Sequence, residues 1–138
     1  EVDSDTGQVR PIEVVQAVDV GTIINPVGHQ GQLDGRFVYG LGNALMEELP
    51  IEDGRVTSLS LGEYKLPTQM DIPPLRTVLV HSEVGPGPFG AKAAGEITNS
   101  GVAAAIANAV YDAAGVRIKT LPITAERVFE ALREPRGR

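Results

Sequence analysis

Gly85-Pro86-Gly87-Pro88-Phe89-Gly90-Ala91-Lys92-Ala93-Ala94-Gly95-Glu96 connects a strand-like run, Thr77 to His81, with an apolar helical run, Val102 to Ala114. Glycine permits close backbone approach and proline fixes its own φ, so this stretch is shaped rather than flexible. Thr98-Asn99-Ser100 offers several N-caps, which predicts that Glu96 sits just ahead of a helix start, beside N–H groups that favour negative charge. From the residues alone, Glu96 is first an exposed or capping carboxylate of a structural loop and only second a catalytic one. Gly85, Gly87 and Gly90 match a dinucleotide fingerprint, but the helix opens too far downstream and Pro86 and Pro88 remove donors that a pyrophosphate needs. Lys92, flanked by Ala91 and Ala93, does not fit a Walker A loop.

Upstream of that stretch, Val2 to Val9 reads as a hairpin turning at Asp5-Thr6-Gly7, and Ile12 to Val20 as a buried strand. Asp19 and Asn25, around the turn at Gly21 and Pro26, suit local loop hydrogen bonds better than catalysis. Val27 to Leu49 is helical in pattern and ends before Pro50. On it Gly31, Gly35, Val38, Gly42 and Leu45 fall along one stripe, with Gln32 beside it and Leu33, Phe37, Leu41 and Ala44 on the neighbouring apolar face. Each interior glycine costs about 1 kcal/mol relative to alanine, so the stripe implies something packed against the backbone. Gln32 itself reads first as an exposed helical glutamine, and second as one that presents its amide to whatever approaches the stripe.

Further on, Glu52-Asp53-Gly54-Arg55 is a turn, Val56 to Tyr64 alternates weakly, and Pro67, Pro73 and Pro74 make an irregular connection. After the glycine loop, Val102, Ile106, Ala109, Val110 and Ala113 form one face of an Ala-rich helix closed by Gly115. Val116 to Leu121 reads as a short strand, and Thr124 caps a last helix through Leu132, followed by a solvated tail from Arg133. The fold class is α+β, in one unit spanning residues 1–138, without repeats or an internal linker.

Composition narrows the function. The 138 residues are 42% hydrophobic and 22% charged, which suits a globular core, and 4% aromatic with 16 glycines, which suits close backbone packing. A formal net charge of −6 argues against nucleic acid as a partner. With no cysteine, no Cys-based zinc or iron–sulfur site can form within this chain, and His29 and His81 lack ligand spacing. No run reaches transmembrane length, which predicts a cytoplasmic protein without membrane contact. An opening at Glu1 in the middle of a strand-like pattern suggests a piece of something longer, or a processed subunit.

Two separated motifs resemble one family. Asp19-Val20-Gly21-Thr22-Ile23-Ile24-Asn25-Pro26, then Gly31-Gln32 and Gly40-Leu41-Gly42-Asn43-Ala44-Leu45-Met46-Glu47-Glu48-Leu49, are similar to the C-terminal part of molybdenum hydroxylase large subunits, the xanthine dehydrogenase and aldehyde oxidase family. Gly90-Ala91-Lys92-Ala93-Ala94-Gly95-Glu96 resembles that family's loop bearing its catalytic glutamate. Tyr64-Lys65-Leu66-Pro67-Thr68, Asp71-Ile72-Pro73, Ala105-Ile106-Ala107-Asn108-Ala109 and Leu121-Pro122-Ile123-Thr124 continue the likeness in the same order. Gly35-Arg36 departs from a frequent Gly-Gly pair, and Ala93 from a frequent glycine.

The resemblance implies oxidative hydroxylation of an aldehyde, purine or N-heterocycle, with oxygen taken from water. It implies molybdopterin with molybdenum as cofactor, either as such or in its cytosine dinucleotide form. Glu96 would be the general base, and Gln32 with Gly90, Ala91, Lys92, Ala93, Ala94 and Gly95 would hold the cofactor; Lys92 would serve either its phosphate side or the loop itself. No protein side chain need ligate the metal. The rest of the molybdopterin-binding subunit would be a partner, with iron–sulfur clusters and FAD expected only on other domains or chains. The alternative is a non-catalytic assembly module of a multi-subunit oxidoreductase, which has no need of a carboxylate at position 96.

Overall fold

The structure, a computed structural model, describes residues 1–134. Strand β1 (Val14–Gly21) and strand β4 (Leu75–His81) pair in parallel, with Val14 opposite Leu75 and Asp19 opposite Val80. Parallel neighbours need a long crossover, and it contains helix α1 (Pro26–Leu45) and the small hairpin β2 (Ile51–Glu52) and β3 (Arg55–Val56). Asp34 ties α1 to β4 by accepting from Thr77 Oγ1 at 3.0 Å and from Gln30 Nε2 at 2.7 Å. Helix α2 (Val102–Ala114) and helix α3 (Ala125–Arg133) complete the mixed helix and strand architecture expected from the sequence.

The core sits between the three helices. Phe37, Leu41 and Ala44 of α1 meet Val102, Ile106 and Val110 of α2, with Val116, Ile123 and Val128 closing the far end. Leu33 is also fully buried, so the apolar face assigned to α1 is the one that packs. The α1 and α2 backbones approach at Gly40, where a Cβ would press into the Val102 side chain. Ile123 N–H donates to the Ala44 carbonyl, and Arg127 bonds the Pro122 carbonyl and Glu48, which fixes α3 against the end of α1.

Several expectations are corrected. β1 is half-buried rather than buried: Gln16 and Val20 point inward while Val15 stays 58% exposed. α1 stops at Leu45, well before Pro50, because the Met46 and Glu47 N–H groups both return to the Gly42 carbonyl. No strand follows Val56 within the connection through Tyr64, where the chain turns instead. Val116 to Leu121 alternates inward and outward but forms no ladder, since no strand edge among the described residues lies beside it. On α2 the exposed residues include Ala109 and Ala113, and Ala103, Ala107 and Ala114 pack instead. Arg133 belongs to α3 and stacks over Phe129 at 3.8 Å; the remainder of the expected tail, 135–138, lies outside the described residues.

The hairpin at Val2 to Val9, the turn at Asp53-Gly54 and the Thr124 cap occur where the sequence places them. Substituting Gly40 with leucine is expected to destabilise the protein by about 1–3 kcal/mol through overpacking against Val102, read as a lower urea midpoint.

Candidate functional site

The glycine loop is fastened to the C-terminal end of β1. Gly21, at φ 63°, lies so close to the loop that a Cβ there would collide with the Gly90 carbonyl. The same carbonyl excludes a Cβ on Gly85, and the Ala91 carbonyl excludes one on Gly87. Thr22 N–H donates to the Gly90 carbonyl at 3.1 Å, Thr22 Oγ1 to the Phe89 carbonyl at 2.7 Å, and Lys92 N–H to the Val20 carbonyl at 3.0 Å. The loop is therefore shaped by backbone contact, which explains the density of glycine in its sequence.

Asp19 is the polar anchor. Its carboxylate accepts from Lys92 Nζ at 2.6 Å, from Gly21 N–H at 2.8 Å and from Ser82 Oγ at 2.9 Å. The Lys92 hydrogen bond, then those from Gly21 and Ser82, lower its pKa from 3.8 to about 2. Asn25 caps α1 by accepting from Gly28 N–H at 2.9 Å, so both residues serve local loop and cap bonds. The ammonium of Lys92 is engaged in holding the loop.

The run expected to meet a cofactor divides in two. Gly90 and Ala91 spend their N–H groups inside the loop, on the carbonyls of Gly87 and Pro88, and Lys92 spends its own on the Val20 carbonyl of β1. The N–H groups of Ala93, Ala94, Gly95 and Glu96 donate to no protein acceptor among the described residues. Gly31 and Gly35 of α1 have open space where a Cβ would stand, and Gln32 between them is exposed. Gly42, by contrast, is covered by Glu47 and Pro67, so the stripe is packed at one end and open at the other. An open glycine-lined helix face, an exposed carboxamide and unspent loop amides fit a large polar cofactor.

Glu96 is exposed rather than capping. It does not cap a helix: α2 begins at Val102 behind Gly101, and none of Thr98, Asn99 or Ser100 caps it by its side chain. Thr98 is buried and donates to the Leu33 carbonyl, while Ser100 donates to the Ile97 carbonyl. The Glu96 side chain is 83% exposed, with Arg36 Nη1 3.9 Å from Oε1. Arg36 also donates from Nε to the Gly95 carbonyl at 3.2 Å. Sequence reasoning noted Arg36 only as a departure; its place one helical turn after Gln32 was the available signal.

The histidines lie elsewhere. His29 is partly buried with Nδ1 lacking a partner among the described residues, and His81 is exposed. Among the described residues no three His, Asp or Glu side chains gather to hold a metal, and no helix is long and apolar enough to cross a membrane.

Residues 1–73 match the family model described as molybdopterin cofactor-binding domain. The chain belongs to that family. It is 37% identical over 135 residues to the aldehyde oxidoreductase molybdenum-binding subunit PaoC of Escherichia coli (strain K12), covering 95% of this chain and 18% of that protein. Against the xanthine dehydrogenase molybdenum-binding subunit of Escherichia coli O157:H7 it is 40% identical over 119 residues, covering 85% and 16%. The solved aldehyde oxidoreductase of Desulfovibrio gigas superposes with a TM-score of 0.86 at 35% identity, over 96% of this chain and 14% of that one. Quinoline 2-oxidoreductase of Pseudomonas putida 86 gives 0.85 at 34% identity, over 96% and 17%. The chain thus spans less than a fifth of the length of these two curated relatives, both of which are named as molybdenum-binding subunits.

The Asp19 anchor has a pH consequence. Its folded pKa lies below its unfolded value, so the unfolded state binds more protons between them and stability rises with pH across that window. Loop protection is expected to be complete above pH 3.8 and to be lost as pH falls toward about 2. Amide exchange over residues 82–92 measures it, and Asp19→Asn should abolish that dependence while loosening the loop at neutral pH.

Proposed function

We propose that residues 1–138 are the terminal portion of the molybdopterin-binding subunit of a cytoplasmic molybdenum hydroxylase, contributing its proton acceptor and part of its cofactor cradle. The observation that carries this reading is the juxtaposition of an exposed carboxylate, Glu96, with the open Gly31-Gln32-Gly35 face of α1, to which Arg36 ties it. When bound, the molybdenum cofactor supplies the two-electron redox step and the delivery of water-derived oxygen to an aldehyde, purine or N-heterocycle.

The chain's own residues divide the remaining work. Gln32 offers its carboxamide to the pterin, and the N–H groups of Ala93, Ala94 and Gly95 supply donors beside it. Gly90, Ala91 and Lys92 keep the loop on β1, Lys92 through Asp19. Glu96 accepts a proton at its carboxylate from the oxygen nucleophile, a task that requires an ionised group within hydrogen-bond reach.

The site is completed by other protein. β1 and β4 form a two-stranded parallel sheet, an arrangement that ordinarily lies within a larger covered sheet. An apolar groove of about 770 Å³ runs between β1 and α2, lined by Ile12, Val15, Ala105 and Ala109, with the Nε2 of buried Gln16 unpaired among the described residues. The rest of the molybdopterin-binding subunit is the occupant proposed for it, and iron–sulfur and FAD domains on other chains take the electrons. The chain alone is then inactive.

Glu96→Gln in the complete enzyme is expected to lower kcat by roughly 10²–10⁴-fold with molybdenum content unchanged. Turnover near normal would favour the assembly-module reading. Gly35→Leu, which fills the open helix face, is expected to lower pterin and molybdenum occupancy; full occupancy, measured by metal analysis, would show that nothing packs there.

A further inference from the structure

We propose that Arg36 is a positioning residue that sets Glu96 in register with Gln32. The proposal rests on the reading of Glu96 as proton acceptor and extends it to a residue outside the loop. Gly95 has no side chain and nothing within 4 Å of where one would stand, so the backbone just before the carboxylate is intrinsically free. Among the described residues, what holds Gly95 by hydrogen bonding is its carbonyl, which accepts from Arg36 Nε at 3.2 Å. On the other side of Glu96 the chain is anchored again: Asn99 N–H donates to the Glu96 carbonyl at 3.1 Å, and Thr98 donates to Leu33 of α1 at 3.4 Å. Glu96 is thus suspended between two attachments to the same helix.

That helix also carries Gln32, one turn before Arg36 and therefore on the same face. Arg36 fixes the distance between the group that accepts the proton and the group that meets the cofactor. Its direct ion pair with Glu96 is a weak contributor, because 3.9 Å separates the atoms and the carboxylate is 83% exposed. The effect runs through the Gly95 carbonyl. Tyr39 steadies the guanidinium, which lies 5.0 Å from the ring centroid. A planar fork can donate to a carbonyl with one nitrogen while presenting another to a carboxylate, which lysine cannot reproduce.

The test uses the complete multi-subunit enzyme with Arg36→Ala, Arg36→Lys, Glu96→Gln and the Arg36→Ala/Glu96→Gln pair, assayed on xanthine, quinoline and an aromatic aldehyde. Amide hydrogen exchange is followed at residues 93–97. Arg36→Ala should speed exchange there by about tenfold and lower kcat by about 10- to 100-fold, with molybdenum content and KM little changed. Arg36→Lys should recover only part of the loss. In the Glu96→Gln background, Arg36→Ala should still speed exchange yet lower kcat no further. Unchanged exchange in Arg36→Ala overturns the proposal whatever the activity. A change confined to KM also overturns it, since Arg36 would then touch substrate. A silent Arg36→Ala beside an inactive Glu96→Gln removes Arg36 and leaves the Glu96 reading standing, whereas an active Glu96→Gln removes both.

Discussion

The constraint on which the rest of the site depends is the contact between the Gly21 α-carbon and the Gly90 carbonyl. A side chain at Gly21 would push the loop off β1, and the bonds from Thr22 and Lys92 to the loop and strand backbones would be lost with it. Asp19 adds the electrostatic component, collecting an ammonium, a hydroxyl and an amide at the strand end where a glycine bulge lets them converge. Because the approach is backbone to backbone, the position of everything from Gly90 to Lys92 follows from where β1 ends.

Beyond Lys92 the loop is held differently. The N–H groups of Ala93 to Glu96 are not part of the backbone lattice, and α1 takes over through Arg36 and Leu33. Ala93 to Glu96 therefore have unspent donors, while the N–H groups of Gly90 to Lys92 are all spent. Such a division suits a site that has to be rigid in placement and open in chemistry. The open half of the α1 glycine stripe has the same character: Gly42 is used for packing within the chain, and Gly31 and Gly35 are left clear.

The apolar groove beside β1 and the two-stranded parallel sheet indicate that this fold is one face of a larger body. The family match and the small share of each relative that the chain spans agree with that. Val14 and Leu75 of the sheet pack against the helical core, and Phe37, Val102, Ile106 and Val110 of that core also line the groove.

The sequence by itself determined the order of helices and turns, the buried face of α1, the Thr124 cap and the family. Those follow from local periodicity, capping chemistry and motif order, all of which act over a few residues. It misplaced what needs a distant neighbour: Val116 to Leu121 has strand-like alternation but no edge to pair with among the described residues, and Thr98 turns inward to Leu33 rather than capping α2. Likewise the glycine stripe could be seen, but not which of its glycines were covered: Gly42 meets Glu47 of the turn after α1 and Pro67 of the distant connection, while Gly31 and Gly35 meet nothing within 4 Å. The tertiary structure alone brought Arg36 to Gly95 across 59 residues and Lys92 to Asp19 across 73, since side chains that far apart meet only when the core has fixed α1 and β1 against the loop.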